Sequence, residues 1–213
     1  MKIYLVGAGM GTSDTLTAQA REVIENADAV IGAKRMTEGI TDKQIFISYK
    51  PQEIADFLAD KSYKTVAVLL SGDVGFYSGA KGLLNVLSGY DTVLLPGISS
   101  AVYFCARLKT PWEDVKLLSL HGKSCNAINY IRRFKKVFML LNGSDSISEL
   151  CQKLCYYNMG DTILHIGQRL SYRDEKIITA AAREISSFSF DSPCVVLAEN
   201  PNTVDLSHSS IPD

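Results

Sequence analysis

Two short turns carry the residue types that could hold a polar ligand. One is Ser71-Gly72-Asp73-Val74-Gly75-Phe76-Tyr77-Ser78, which follows the apolar run Thr65-Val66-Ala67-Val68-Leu69-Leu70. The other is Pro96-Gly97-Ile98-Ser99-Ser100, which follows Thr92-Val93-Leu94-Leu95. Glycine lets a backbone approach a ligand closely, serine offers a hydroxyl, and aspartate offers a carboxylate. Both turns fall where an apolar strand is expected to end, and open α/β sheets bind ligands at those ends. The two turns therefore read as one ligand site. Asp73 is the acid within it, and two roles are open to it: a contact to a polar ligand, or a cap on the amides of its own loop.

The elements that must position these turns alternate along the chain. Ile3 to Val6 reads as a first strand, and a helix starting near Thr15 carries Leu16, Ala20, Val23, Ile24 and Ala27 on one face. Strands follow at Ala29–Ile31, Gln44–Ser48, Thr65–Leu70 and Thr92–Leu95. Helices fall between them, one with Pro51 in its first turn. This rhythm predicts an α/β domain over residues 1–111 with a mostly parallel five-stranded sheet. Thr110-Pro111-Trp112-Glu113-Asp114 breaks it and marks the expected boundary. Residues 112–213 then give strands at 115–120, 137–141, 162–166, 175–179 and 194–198, the last three with short connections. They predict a second α/β domain with a smaller, mixed sheet.

Composition excludes several classes. A formal net charge of −1 gives no global attraction to nucleic acid or an anionic membrane. No apolar run reaches the roughly eighteen residues of a membrane span. The start of the chain lacks a signal-peptide pattern, so a cytoplasmic protein is expected. Cys105, Cys125, Cys151, Cys155 and Cys194 are odd in number and scattered, which fits reduced thiols rather than a disulfide framework or a metal knuckle. His165 and His208 have no neighbours suggesting metal ligation, and no protein-bound metal is expected.

Gly7-Ala8-Gly9-Met10-Gly11 after the first strand resembles a dinucleotide-binding loop but departs from it. Thr12 stands where the third glycine belongs, and the end of the second strand is Gly32 rather than an acid; Asp28 lies at its beginning.

Taken together, the motifs resemble those of the tetrapyrrole methylases. The opening turn of that family is matched by Val6-Gly7-Ala8-Gly9-Met10-Gly11 and Leu16-Thr17, with Met10 in place of a proline. Gly72-Asp73 matches its second turn, with Val74 in place of another proline, and Pro96-Gly97-Ile98-Ser99-Ser100 matches its third. Gly32-Ala33-Lys34-Arg35, Ala106-Arg107-Leu108, Pro111-Trp112-Glu113-Asp114 and Ser119-Leu120-His121-Gly122-Lys123 are similar to the members acting at C5 of precorrin-7 or cobalt-precorrin-7. So is Gly167-Gln168-Arg169-Leu170-Ser171-Tyr172-Arg173-Asp174-Glu175-Lys176-Ile177.

The resemblance implies a methyltransferase using S-adenosylmethionine, with its site at the interface of two domains. It implies that Met10, Ser71, Gly72, Asp73, Phe76, Ser99 and Ser100 bind the methyl donor, with Asn142 and Leu170 from the second domain. A substrate rich in carboxylates asks for cations, and Lys34, Arg35, Arg107, Lys123, Arg169 and Arg173 stand in the matched motifs. His121 is the candidate for proton transfer or a substrate hydrogen bond. A homodimer is implied, and the length suggests a free-standing enzyme served by a separate C15-methyltransferase/decarboxylase. Another ring position, uroporphyrinogen, the diphthamide methylases of the same fold, and a non-catalytic precorrin-binding subunit are the competing readings.

Overall fold

The computed structural model describes residues 1–120, 126–141, 145–188, 190 and 194–203. Contacts divide the chain into two compact units, Met1–Ser100 and a second that begins at Ala101.

In the first unit, β1 (Lys2–Gly7) leads through a 3-10 turn at Ser13–Thr15 into α1 (Ala18–Asn26). Then come β2 (Ala29–Gly32), the single-turn α2 (Lys34–Thr37), β3 (Gln44–Ile47), α3 (Pro51–Ala59), β4 (Thr65–Leu70), α4 (Ala80–Val86) and β5 (Asp91–Leu95). Helix α1 starts later than the apolar spacing suggests because two threonines share the work at its entry. The buried Thr15 donates its hydroxyl to the Thr12 carbonyl at 3.1 Å, while the Thr17 hydroxyl caps the helix by accepting from Ala20 N at 3.1 Å. Pro51 opens α3, as expected. Asp28 is a strand-start clamp: its carboxylate accepts from the amides of Thr65 at 2.9 Å and Lys64 at 2.7 Å. Those two bonds hold its carboxyl below the ordinary value.

The five strands make a wholly parallel sheet in the order β3-β2-β4-β1-β5. Alternate residues serve opposite faces. Ile3, Leu5, Ile31, Val66 and Val68 pack against Ile54, Leu58 and Leu83 of α3 and α4. Val6, Val30, Ala67 and Leu69 pack against Ala20 and Ile24 of α1. Both faces are covered, as a parallel sheet requires. Each fully covered aliphatic side chain is worth about 1.5–3 kcal/mol. The chain leaves β1 toward β2 on one side and leaves β4 toward β5 on the other. Their crossovers, α1 and α4, therefore lie on opposite faces, and the adjacent ends of β1 and β4 form a topological switch point.

Helix α5 (Ser100–Arg107) spans the division between the units. The expected boundary lies eleven residues later than the observed one, because Phe104 is fully buried and packs edge-on against Phe138 at 6.5 Å. The second unit continues with β6 (Val115–Ser119), α6 (Ala127–Arg133), β7 (Lys136–Leu140), α7 (Asp145–Tyr156), β8 (Ile163–Gln168), β9 (Lys176–Ala181), a 3-10 turn at Ala182–Ser187, and β10 (Cys194–Glu199). Its sheet runs β6-β7-β10-β8-β9. It is mixed, with β6 and β7 parallel and the other pairs antiparallel, and it has as many strands as the first. Ile131, Met139, Ile147, Leu154, Ile166 and Val196 fill its core. Cys105, Cys151 and Cys155 are free thiols, and burial pushes the Cys151 thiol up to about 11, where it is unreactive.

Candidate active site

The loops that leave β1, β4 and β5 meet at the switch point. Gly9 and Gly72 form an antiparallel bridge, Gly72 N donating to Gly9 O at 2.6 Å and Gly9 N to Gly72 O at 3.2 Å. Asp73 ties the next junction: one carboxylate oxygen accepts from Gly97 N at 2.9 Å, the other from Gly75 N at 2.8 Å. A methyl group built on Gly97 would strike the carbonyl oxygens of both Gly7 and Gly72. One on Gly7 would lie 2.5 Å from Gly97 N and 2.9 Å from Gly72 O. Three stretches of backbone are thus in direct contact, and side chains are absent where they would keep them apart. The bends at residues 72 and 97 belong to one cluster.

Gly72 is a glycine for a different reason. Its φ of +72° is a conformation that side chains rarely adopt, yet the nearest atom to an added methyl would be Ser99 Cα, at 3.7 Å. The backbone there is bare and has space beside it. The loops of this cluster carry the other residues expected to hold a ligand. Ser71 is exposed and Ser99 buried, Ser100 opens α5, and Phe76 lies edge-on to Tyr77 at 5.0 Å, its amide donating to Asp73 O. Met10 is buried, its amide donating to the Thr15 hydroxyl at 3.2 Å.

The expected cations divide into two groups. Lys34 and Arg173 are exposed. Three arginines have partners within the protein. Arg35 donates to the Met10 carbonyl and the Ser71 hydroxyl. Arg107 Nε is 2.7 Å from Glu175, and Arg169 Nε is 2.5 Å from Asp174 with its guanidinium over the Tyr172 ring at 4.7 Å. Leu170 is buried within the turn joining β8 to β9, between Arg169 at φ +47° and Ser171 at φ +68°. His121, Lys123 and Asn142 lie outside the described residues.

Glu175 is the residue the sequence reading passed over, although it stands in a matched motif. Its carboxylate accepts from Ser171 N at 2.7 Å, Tyr103 Oη at 2.8 Å and Arg107 Nε at 2.7 Å. Burial alone would raise this carboxyl; the Ser171 amide, Tyr103 and Arg107 outweigh burial and hold it below its ordinary value. Tyr103 moves the other way, raised by burial and by the adjacent carboxylate. The signal available was an acid placed among Arg169, Arg173 and Lys176.

Two sheets of this topology with glycine turns clustered at strand ends match the tetrapyrrole (corrin/porphyrin) methylases, whose family model covers residues 2–186; the chain belongs to that family. It is a methyltransferase. Among its relatives, a probable cobalt-precorrin-7 C(5)-methyltransferase of Methanocaldococcus jannaschii is 33% identical over 206 residues, covering 91% of this chain and 96% of that one. The cobalt-precorrin-7 C(5)-methyltransferase of Salmonella typhimurium is 27% identical over 178 residues, covering 82% and 88%. A solved uroporphyrin-III C-methyl transferase from Thermus thermophilus, complexed with S-adenyl homocysteine, shares the fold with a TM-score of 0.77 at 17% identity, covering 93% of this chain and 97% of that one.

Proposed function

We propose that the chain transfers a methyl group from S-adenosylmethionine to C5 of cobalt-precorrin-7, or of precorrin-7, in cobalamin biosynthesis. The observation that carries this reading is the likeness, over nearly its full length, to the Methanocaldococcus relative. The turn cluster supports a place for the donor. Gly72 presents backbone without a side chain, and Ser71, Asp73, Phe76 and Ser99 stand in the same two loops after β4 and β5, with Ser100 opening α5. The negative charge of Asp73 suits a cationic sulfonium.

When bound, S-adenosylmethionine supplies an electrophilic methyl group. The chain's own part is alignment. Met10, Ser71, Gly72, Asp73, Phe76, Ser99 and Ser100 bind and orient the donor, with Leu170 and Asn142 assigned the same task by resemblance. Backbone packing among Gly7, Gly72 and Gly97 leaves that surface little freedom to shift. Holding two reactants at near-attack distance can lower a barrier by about 7–11 kcal/mol in favourable cases. Lys34, Arg173 and Lys123 are assigned to the carboxylates of the substrate, and His121 to proton transfer or a substrate hydrogen bond. The same reading carries a cytoplasmic homodimer that passes its product to a separate C15-methyltransferase/decarboxylase. No helix among the described residues is long and apolar enough to cross a membrane.

The test is incubation with S-adenosylmethionine and, separately, cobalt-precorrin-7, precorrin-7 and uroporphyrinogen III. Mass spectrometry would count the methyl groups gained, and NMR would place them. One methyl at C5 of a precorrin-7 is the expected product. Methylation of uroporphyrinogen III instead, or donor binding without transfer to any of the three, would overturn the assignment.

A further inference from the structure

Arg35 stands in a segment where the sequence suggests a contact to substrate carboxylates, but its guanidinium bridges two loops of the protein itself. Nη1 donates to the Met10 carbonyl at 3.0 Å and Nη2 to the Ser71 hydroxyl at 2.7 Å. These acceptors lie 25 and 36 residues away along the chain, one in the loop after β1 and one in the loop after β4. The same two loops are joined by the Gly9–Gly72 bridge, so Arg35 adds a side-chain link to a backbone one.

The base of this clamp is fixed. Arg35 sits in α2, whose next two residues, Met36 and Thr37, are buried, and the Thr37 hydroxyl donates to the Lys34 carbonyl at 3.1 Å. A planar fork on a long stem aims two N–H groups in fixed directions at acceptors in different loops; lysine offers a point charge whose donors are not so fixed. The loop it braces has methionine at position 10, so its shape depends on such bonds: Met10 is held at its amide by Thr15 and at its carbonyl by Arg35. The bond to Ser71 also sets a polarity. A hydroxyl has one hydrogen, and one that accepts from arginine keeps that hydrogen to donate onward.

We propose that Arg35 is a positioning residue for the methyl donor: it locks the β1 and β4 loops together and turns the Ser71 hydroxyl into a hydrogen-bond donor toward the ligand. This rests on the reading that those loops hold S-adenosylmethionine.

The experiment uses the full chain and the variants Arg35→Gln, Arg35→Lys and Ser71→Ala. It measures calorimetric affinity for S-adenosylhomocysteine, together with kcat and the KM of each substrate, cobalt-precorrin-7 being the acceptor. Arg35→Gln and Arg35→Lys are both expected to weaken S-adenosylhomocysteine and raise KM for S-adenosylmethionine about tenfold, a change of one bidentate contact's order. KM for cobalt-precorrin-7 should stay within about twofold. Combining Arg35→Gln with Ser71→Ala should cost less than the two separately, because they share one link. A rise in KM for cobalt-precorrin-7 with unchanged affinity for S-adenosylhomocysteine would return Arg35 to the substrate and overturn the proposal. So would full rescue by Arg35→Lys, which also decides the matter if Arg35→Gln fails to fold. Wild-type protein that does not bind S-adenosylhomocysteine would instead overturn the donor reading itself.

Discussion

The turn cluster of the first unit and the β8–β9 turn of the second hold unusual backbone by opposite means. In the first, positive φ falls on Gly9, Gly11 and Gly72, with Tyr77 at +49° further along the same turn, and close backbone approaches are made by Gly7 and Gly97. Missing side chains create the geometry, and the bonds at the Gly9–Gly72 bridge run from backbone to backbone. In the second, the positive φ values belong to Arg169 and Ser171, which carry side chains and incur about 1–2 kcal/mol each for that conformation. Charge offsets the strain: Glu175 accepts from Ser171 N, Tyr103 and Arg107, and Asp174 pairs with Arg169. The first region rests on close backbone packing, with Asp73 and Arg35 tying its loops; the second rests on charge. They should therefore fail under different insults.

The largest expected effect is at the first cluster. Gly97→Ala places a methyl inside two backbone carbonyls, and no flexible side chain can move aside. Overpacking of this kind costs about 3 kcal/mol, the upper part of its range. Gly72→Ala, in the same cluster, makes only an ordinary contact with Ser99 Cα at 3.7 Å and incurs only the conformational term, about 1 kcal/mol. Urea unfolding monitored at both units would show the difference. Equal losses for the two alanines would contradict the packing account.

At the second turn the expected effect is intermediate and depends on pH. Glu175→Ala leaves a tyrosine hydroxyl, an arginine and an amide without their shared acceptor, a loss of about 2 kcal/mol on the scale of hydrogen bonds to charged groups. The Glu175 carboxyl is held below its ordinary value in the folded protein. Its contribution is therefore complete above the unfolded value of about 4.3 and is lost as pH falls through the lower folded value. Glu175→Gln should be less stable than wild type at neutral pH, and the gap should narrow on acidification. The gap between Gly97→Ala and wild type should not follow that curve. A pH-independent gap at Glu175 would remove the electrostatic half of the comparison.

The same contrast explains what could be read from the chain. The ten strands described were legible as short apolar or β-branched runs between turn signals, although β3 buries none of its residues, and the meeting of the 72 and 97 bends followed from their places at strand ends. Helix α2 was not, since four residues are too few to show a helical period. Glu175 escaped because two of its partners, Tyr103 and Arg107, lie 72 and 68 residues away, and no local pattern announces a long-range hydrogen bond. Arg35 was visible as a cation in a matched motif, but a motif does not say whether a guanidinium faces a ligand or its own loops. Backbone devices leave glycines in the sequence; side-chain clamps leave only common charged residues.

The smallest effect has the opposite sign. Ser171→Gly removes the conformational penalty at φ +68° while keeping the amide that donates to Glu175. Relief of about 1–2 kcal/mol is offset by about 0.5–1 kcal/mol of extra freedom in the unfolded chain. A net stabilisation near 0.5 kcal/mol is expected, just measurable by denaturant midpoint at constant slope. In the background of Glu175→Ala the gain should shrink, because the carboxylate that holds the strained turn is gone and the serine is free to relax without help from glycine. A gain that is identical in both backgrounds would mean that Glu175 and the strain at Ser171 are independent, and that the second region is not held in the way the first comparison requires.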